Sequence, residues 1–189
     1  MKIEFIILFS LFAIVTGLII GLIISIFHYP KWEVRKVLKH LQKEDYSFGE
    51  WKHVKEFVDH HIKVIVKPNC ETLYSLAFIQ RKDGAYVLKM PAFNDYFSFA
   101  FIGDNTDVLG YFTNRDVNLN EDSSFLIHYD DDEILDISMP CIKLNSKICW
   151  IIGRFGVNKP EDIPSVNKIQ DAVQLVKLKD YLNDCREKN

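Results

Sequence analysis

From Phe5 to Phe27 the chain carries no Asp, Glu, Lys or Arg. At about 1.5 Å of rise per residue such a run reaches roughly 35 Å as a helix, enough to cross a hydrocarbon layer of about 30 Å with modest tilt. Residues 1–30 therefore read as an N-terminal transmembrane anchor. The competing reading is a cleaved secretory signal, whose apolar stretch is about 7–15 residues long and is followed by a small-residue cleavage site. Here Phe27, His28, Tyr29 and Pro30 follow instead, which favours an uncleaved helix. Gly17 and Gly21 form a small-xxx-small pair, but glycine is frequent in membrane helices and the pair carries no further meaning by itself.

The chain has 189 residues. Some 155 follow the span, the size of one domain. A formal net charge of −3 argues against a nucleic-acid partner, because phosphate binding requires a clustered basic face. The one basic cluster, Lys31, Arg35, Lys36 and Lys39, lies beside the span, where anionic headgroups account for it. By the positive-inside rule those charges favour a cytoplasmic domain. Cys70, Cys141, Cys149 and Cys185 contain no CxxC pair and no paired spacing for zinc, so no metal and no cofactor is expected.

Residues 31–60 read as a membrane-proximal segment: a short amphipathic helix after a break at Pro30, carrying Trp32, Val34, Val37, Leu38 and Leu41, and then a linker. Residues 61–189 read as the β-rich domain. Ile62–Val66, Leu73–Gln80, Ala85–Met90, Tyr96–Ile102, Ser124–Tyr129, Ile134–Ser138, Pro140–Leu144 and Ile148–Ile152 have strand composition and are separated by turn chemistry such as Lys82-Asp83-Gly84. Phe97, Phe99 and Phe101 alternate with smaller or more polar residues, so their face should be core. A hairpin over Asn145-Ser146-Lys147 would join the last two strands and put Cys141 and Cys149 on opposite faces. Val166, Ile169, Val173, Val176 and Leu182 predict one C-terminal amphipathic helix capped by Ser165. The sum is a mainly β protein: an antiparallel β-sandwich with flanking N- and C-terminal helices, preceded by one transmembrane helix.

Two polar groups could carry chemistry. Asn69 and Glu71 share one side of an extended chain, with Tyr74 on the other, and a carboxylate beside a carboxamide can read a hydroxyl or act as a base. In the structural alternative, Asn69 closes a turn and Glu71 pairs with an arginine. The second group is Trp150-Ile151-Ile152-Gly153-Arg154. There Gly153 permits a strand-ending turn, and Arg154 could fold back onto Glu71, or secondly Asp95, or clamp an anionic ligand. His60 and His61 face opposite sides of a strand and cannot share a metal. Asp130-Asp131-Asp132-Glu133 lacks the glycine and distal glutamate of an EF-hand loop.

Asn69-x-Glu71-Thr72-Leu73-Tyr74-Ser75, Asp95-Tyr96-Phe97, Trp150-x-x-Gly153-Arg154 and the series Asp162, Val166, Gln170 follow the order of motifs in the domain of unknown function 1254 family, which the chain resembles over about residues 60–180. The family usually has aspartate where this chain has Glu71, and often tyrosine where it has Phe97. Members are often exported and often fused to a second domain, the domain of unknown function 1214. Short forms with a membrane helix and only the first domain resemble bacterial inner-membrane proteins whose second half is a separate chain. The resemblance thus implies an accessory module of the cell inner membrane, with its domain on the periplasmic side and a partner chain resembling the second domain. The alternative is a ligand-binding or enzymatic sandwich with a pocket around Asn69, Glu71, Tyr74 and Arg154.

Overall fold

In the computed structural model, residues 2–43, 45–57, 71–130 and 139–187 are described. The expected strands at 62–66 and 134–138, and Asn69, lie outside them. A single helix, α1 (Lys2–Gln42), runs through the apolar segment and beyond it. It is long and apolar enough to cross a membrane, with a mean hydropathy of 2.9 over its most apolar stretch. The expected break at Pro30 does not occur, since the proline sits inside the helix. An internal proline costs about 3 kcal/mol. Helix formation is restored by packing on the far side, where Val34, Leu38 and Leu41 are buried against the folded domain.

The domain contains nine strands among the described residues: β1 (Lys52–His53), β2 (Thr72–Gln80), β3 (Tyr86–Met90), β4 (Phe97–Ile102), β5 (Val108–Thr113), β6 (Ser123–Tyr129), β7 (Cys141–Leu144), β8 (Ile148–Gly156) and β9 (Gln174–Lys177). Two further helices, α2 (Ile163–Ala172) and α3 (Leu178–Glu187), flank β9. One sheet has the order β1-β2-β8-β4-β5 and the other β7-β6-β3-β9. The fold is thus a mainly β sandwich with helices at both ends of the chain. Phe97, Phe99 and Phe101 line the space between the sheets, as their alternation requires, beside Phe112, Phe125 and Phe155.

Three local expectations fail for physical reasons. The 141–144 and 148–156 strands do not form a hairpin: β7 pairs parallel with β6 in one sheet, while β8 pairs with β2 and β4 in the other. Buried Ser146 holds that crossing, its Oγ accepting the Asp104 N–H at 2.8 Å. Cys141 and Cys149 are therefore separated by sheet, and both are free thiols. The C-terminal segment is not one helix either. Its helical spacing is interrupted where Leu175 and Val176 pair with Leu88 and Val87, so the demand of the β3 edge for a partner overrides the spacing. Ser165 lies within α2 and is not its cap; its Oγ donates to the Asp162 carbonyl at 2.7 Å.

The segment after α1 covers the edge of β2. Gly49 N–H donates to the Phe78 carbonyl at 2.8 Å, and the Phe78 N–H donates to the Tyr46 hydroxyl at 2.6 Å, which in turn donates to the Glu50 carbonyl. Burial pushes the Tyr46 phenol up to about 12, so it stays protonated in this relay. Gly49 has φ of 84° with the Tyr86 ring against it, a position where a side chain would be both strained and crowded.

Candidate functional site

The outer face of the five-stranded sheet brings together two of the anticipated site residues, Tyr74 and Arg154. Register places Arg154 on β8 between Tyr74 on β2 and Ser98 on β4, with Thr113 on β5 completing the row. The Arg154 guanidinium lies 5.8 Å from the centre of the Tyr74 ring, a cation–π contact. Its Nε is buried and has no hydrogen-bond partner among the described residues. Gly153 does not end the strand, which continues to Gly156. Its role is close approach: a Cβ there would stand 2.9 Å from Phe99 Cε1.

The two carboxylates considered as partners of Arg154 are placed elsewhere. Asp95 is exposed and accepts from Asn158 Nδ2 at 2.7 Å. Glu71 stands at the start of β2, where its carbonyl accepts the Val157 N–H, and it has the strand parity of Leu73, not of Tyr74. Among the described residues no carboxylate lies within ion-pair distance of Arg154. Tyr74 and Arg154 are brought together, and Glu71 and Asp95 are not brought to them.

At the Thr113 end of that row the face opens into a groove of about 390 Å³ lined by Tyr96, Tyr111, Thr113, Asn114 and Arg115. Tyr96 donates to Ser98 Oγ at 2.9 Å and so lies over the small residues of β4. Outside α1, the large apolar or aromatic side chains exposed among the described residues are Tyr96, Val108 and Tyr111. Val108 and Tyr111 lie on β5, which ends its sheet among the described residues, and Tyr96 shares a groove with Tyr111. Of these, only Tyr96 belongs to a motif that the sequence singles out. The usable signal is the outward parity of Tyr96, Ser98 and Ala100, which leaves a shallow shelf under Tyr111.

A second polar cluster lies on the opposite face of β2. Gln170, fully buried on α2, donates through Nε2 to the Tyr74 carbonyl at 3.1 Å and to Ser75 Oγ at 3.0 Å. His53 Nδ1 is 2.8 Å from the same hydroxyl, and Lys55 pairs with Asp171 nearby. Ser75 is fully buried, so the arrangement clamps α2 and β1 onto β2 and does not present a nucleophile. A neutral His53 can accept the Ser75 proton at Nδ1, whereas an imidazolium can only donate there. Burial, and secondly Lys55, hold the His53 pKa below its ordinary value of 6.5, although Asp171 opposes them. The unfolded chain then binds the proton more readily than the fold does, so stability from this group is present above pH 6.5 and is lost as pH falls below it. Chemical denaturation of the wild type and of His53→Gln should therefore show a stability gap that narrows between pH 7.5 and 5. A constant gap would remove His53 from the clamp's pH response.

The sequence profile of the family described as protein of unknown function (DUF1254) matches residues 48–177, more than half of the chain. No curated protein matches it. Among solved structures, the VPA0106 protein from Vibrio parahaemolyticus is similar, with a TM-score of 0.67 at 15% identity over 84% of this chain, which shows a shared fold. This chain spans only 38% of that one. A putative uncharacterized protein from Burkholderia cenocepacia aligns over 69% of this chain and 37% of its own, at 10% identity and a TM-score of 0.47. With residues 48–177 matched and the sandwich shared, the chain belongs to the DUF1254 family of proteins of unknown function.

Proposed function

We propose that this chain is a membrane-anchored accessory module of the bacterial envelope, held by α1 in the cell inner membrane, whose outer sheet face docks a separate partner chain resembling the domain of unknown function 1214. The observation that carries the reading is the concentration of exposed aromatic surface, Tyr96 and Tyr111, beside β5, which ends its sheet among the described residues. Exposed edges and aromatic patches are what protein interfaces cover, and Tyr and Arg are the side chains enriched at their centres.

A photo-crosslinker at Tyr111 in the full-length chain, in native membranes, should capture a chain of the expected second type. The double variant Tyr96→Ala/Tyr111→Ala should weaken that association at least tenfold, since each hot-spot tyrosine is worth about 1–2 kcal/mol. An unaltered association, or equal capture from a crosslinker at exposed Lys82, would count against the patch. A reporter after Asn189, active only in the periplasm, tests the side of the membrane.

The buried Nε of Arg154, without a hydrogen-bond partner among the described residues, and the groove at Thr113 in the same row support a second reading, in which the face holds an anionic small molecule. Arg154→Met would then abolish activity with an unchanged melting temperature.

A further inference from the structure

Beyond residue 30, α1 has two opposite faces. Val34, Leu38 and Leu41 are buried against Phe78, Trp150 and Ile152, and Val37 packs beside them. At 100° per residue, Trp32, Lys36, Lys39 and Lys43 lie within a narrow stripe centred on the opposite side, with Arg35 and His40 on its flanks. The buried face fixes the helix to the sheet, so this stripe cannot rotate inward. All six of those side chains are exposed and line one groove of about 480 Å³. Among the described residues the acid recorded against this face is Glu33, whose Oε2 is 3.9 Å from Lys36 Nζ.

The direction of the side chains matters as much as their charge. In an α-helix each Cα–Cβ bond tilts toward the N-terminus, which here is the side of the apolar span. Lys36 shows the consequence, since its Nζ folds back one turn to lie 5.0 Å from the centre of the Trp32 ring. From Phe27 to Arg35 the helix axis advances about 12 Å, and a long basic side chain directed backward recovers roughly half of that. Its charge then falls in the headgroup layer, which is about 5–7 Å thick on each side of the hydrocarbon. Trp32 sits one turn nearer the span, at the level where tryptophan anchors helices to the interface.

We infer that this stripe is a binding site for the phosphate headgroup of an anionic phospholipid. Arg35 and Lys36 contact the phosphate, Trp32 packs on the glycerol region, and Lys39 and Lys43 add positive potential above it. Below the headgroup, the same side of the helix carries Gly17 and Gly21, where an added Cβ would meet no atom within 4 Å and an acyl chain can lie against the backbone. A second copy of this chain is the poorer occupant, because its own basic stripe would face this one. The inference rests on the proposed membrane anchoring and adds a lipid preference to it. It also accounts for the basic flank without assigning the domain to the cytoplasm.

The test uses the full chain reconstituted into vesicles of phosphatidylcholine containing one part in five phosphatidylglycerol, with bromine-labelled acyl chains on one lipid at a time and equal labelled fractions. The signal of Trp32 is the difference in fluorescence between wild type and Trp32→Phe. Brominated phosphatidylglycerol should quench it on the order of threefold more strongly than brominated phosphatidylcholine. That preference should disappear in 0.5 M salt, where the screening length falls to roughly 4 Å, and in Arg35→Gln/Lys36→Gln/Lys39→Gln. Equal quenching by the two lipids, with the protein still floating with the vesicles, overturns the lipid site and leaves the anchor standing. Failure to float with either vesicle overturns both. Cross-linking of two copies through cysteines placed at Lys36 and Lys39, or protection of the stripe by an acidic protein, also overturns it.

Discussion

Phe99→Ala should lower the unfolding free energy by about 3–5 kcal/mol, the range for emptying a fully buried aromatic site. Phe99 is the hub of the inter-sheet core. Its ring centre lies 5.6 Å from that of Phe155, 5.7 Å from Trp51, 5.9 Å from Phe97 and 6.1 Å from Phe112. A domain of this size has a total stability of about 5–15 kcal/mol, so the loss is a large share of it. The glycine at 153 sharpens the test. A methyl group there would meet Phe99 Cε1 at 2.9 Å, so Gly153→Ala alone overpacks the core at a cost of about 1–3 kcal/mol. In the Phe99→Ala background the same methyl enters the void, and its cost should fall to about zero or change sign. Denaturant titration of the four proteins in detergent micelles measures the coupling, and simple additivity would show that Phe99 and Gly153 do not compete for the same space.

This pair also shows what can and cannot be read from the sequence. The alternation of Phe97, Phe99 and Phe101 is a period-two signal, and it places the aromatic face in the core without any knowledge of the partner strands. Gly153 reads wrongly as a turn because glycine signals both turns and close approach, and the ring that crowds it comes from a strand some fifty residues away. The same limit governs β7 and β9. Their local patterns fit a hairpin and a helix, and only the unmet edges of β6 and β3 decide otherwise. At the candidate site, Tyr74 and Arg154 stand out in local sequence, whereas their contact depends on the β2–β8 register. Tyr111 gives no signal because one exposed tyrosine in a short strand is ordinary until Ala100 and Ser98 are seen to leave the shelf beside it. Gln170 is legible only as a motif position, and its three-way clamp needs β1, β2 and α2 together.

Leu38→Asp should release the end of α1 from the sheet. Leu38 sits between Val34 and Leu41 in a seam closed by Phe78, Trp150 and Ile152, and the Phe78 and Trp150 rings beneath it are stacked at 5.5 Å with an interplanar angle of 10°. No cation is buried in that seam among the described residues, so an ionised carboxylate there would be uncompensated. The protein avoids the full cost of burying the charge by letting the helix lift, which caps the destabilisation at the packing energy of the seam itself. Each of the three apolar side chains contributes about 1.5–3 kcal/mol when fully buried, and part of this survives in a loosened state, leaving an expected loss of about 3–5 kcal/mol. The inter-sheet core around Phe99 is separate from this cluster and should remain folded. Amide exchange over residues 45–50 and in the β2 edge they cover should therefore rise roughly a hundredfold, the equivalent of about 3 kcal/mol, while β3 and β6 stay protected. Uniform acceleration across both sheets would mean that α1 is integral to one cooperative unit. No acceleration at all would mean that the seam does not hold the domain to α1, and the fixed outward direction of the basic stripe would lose its cause.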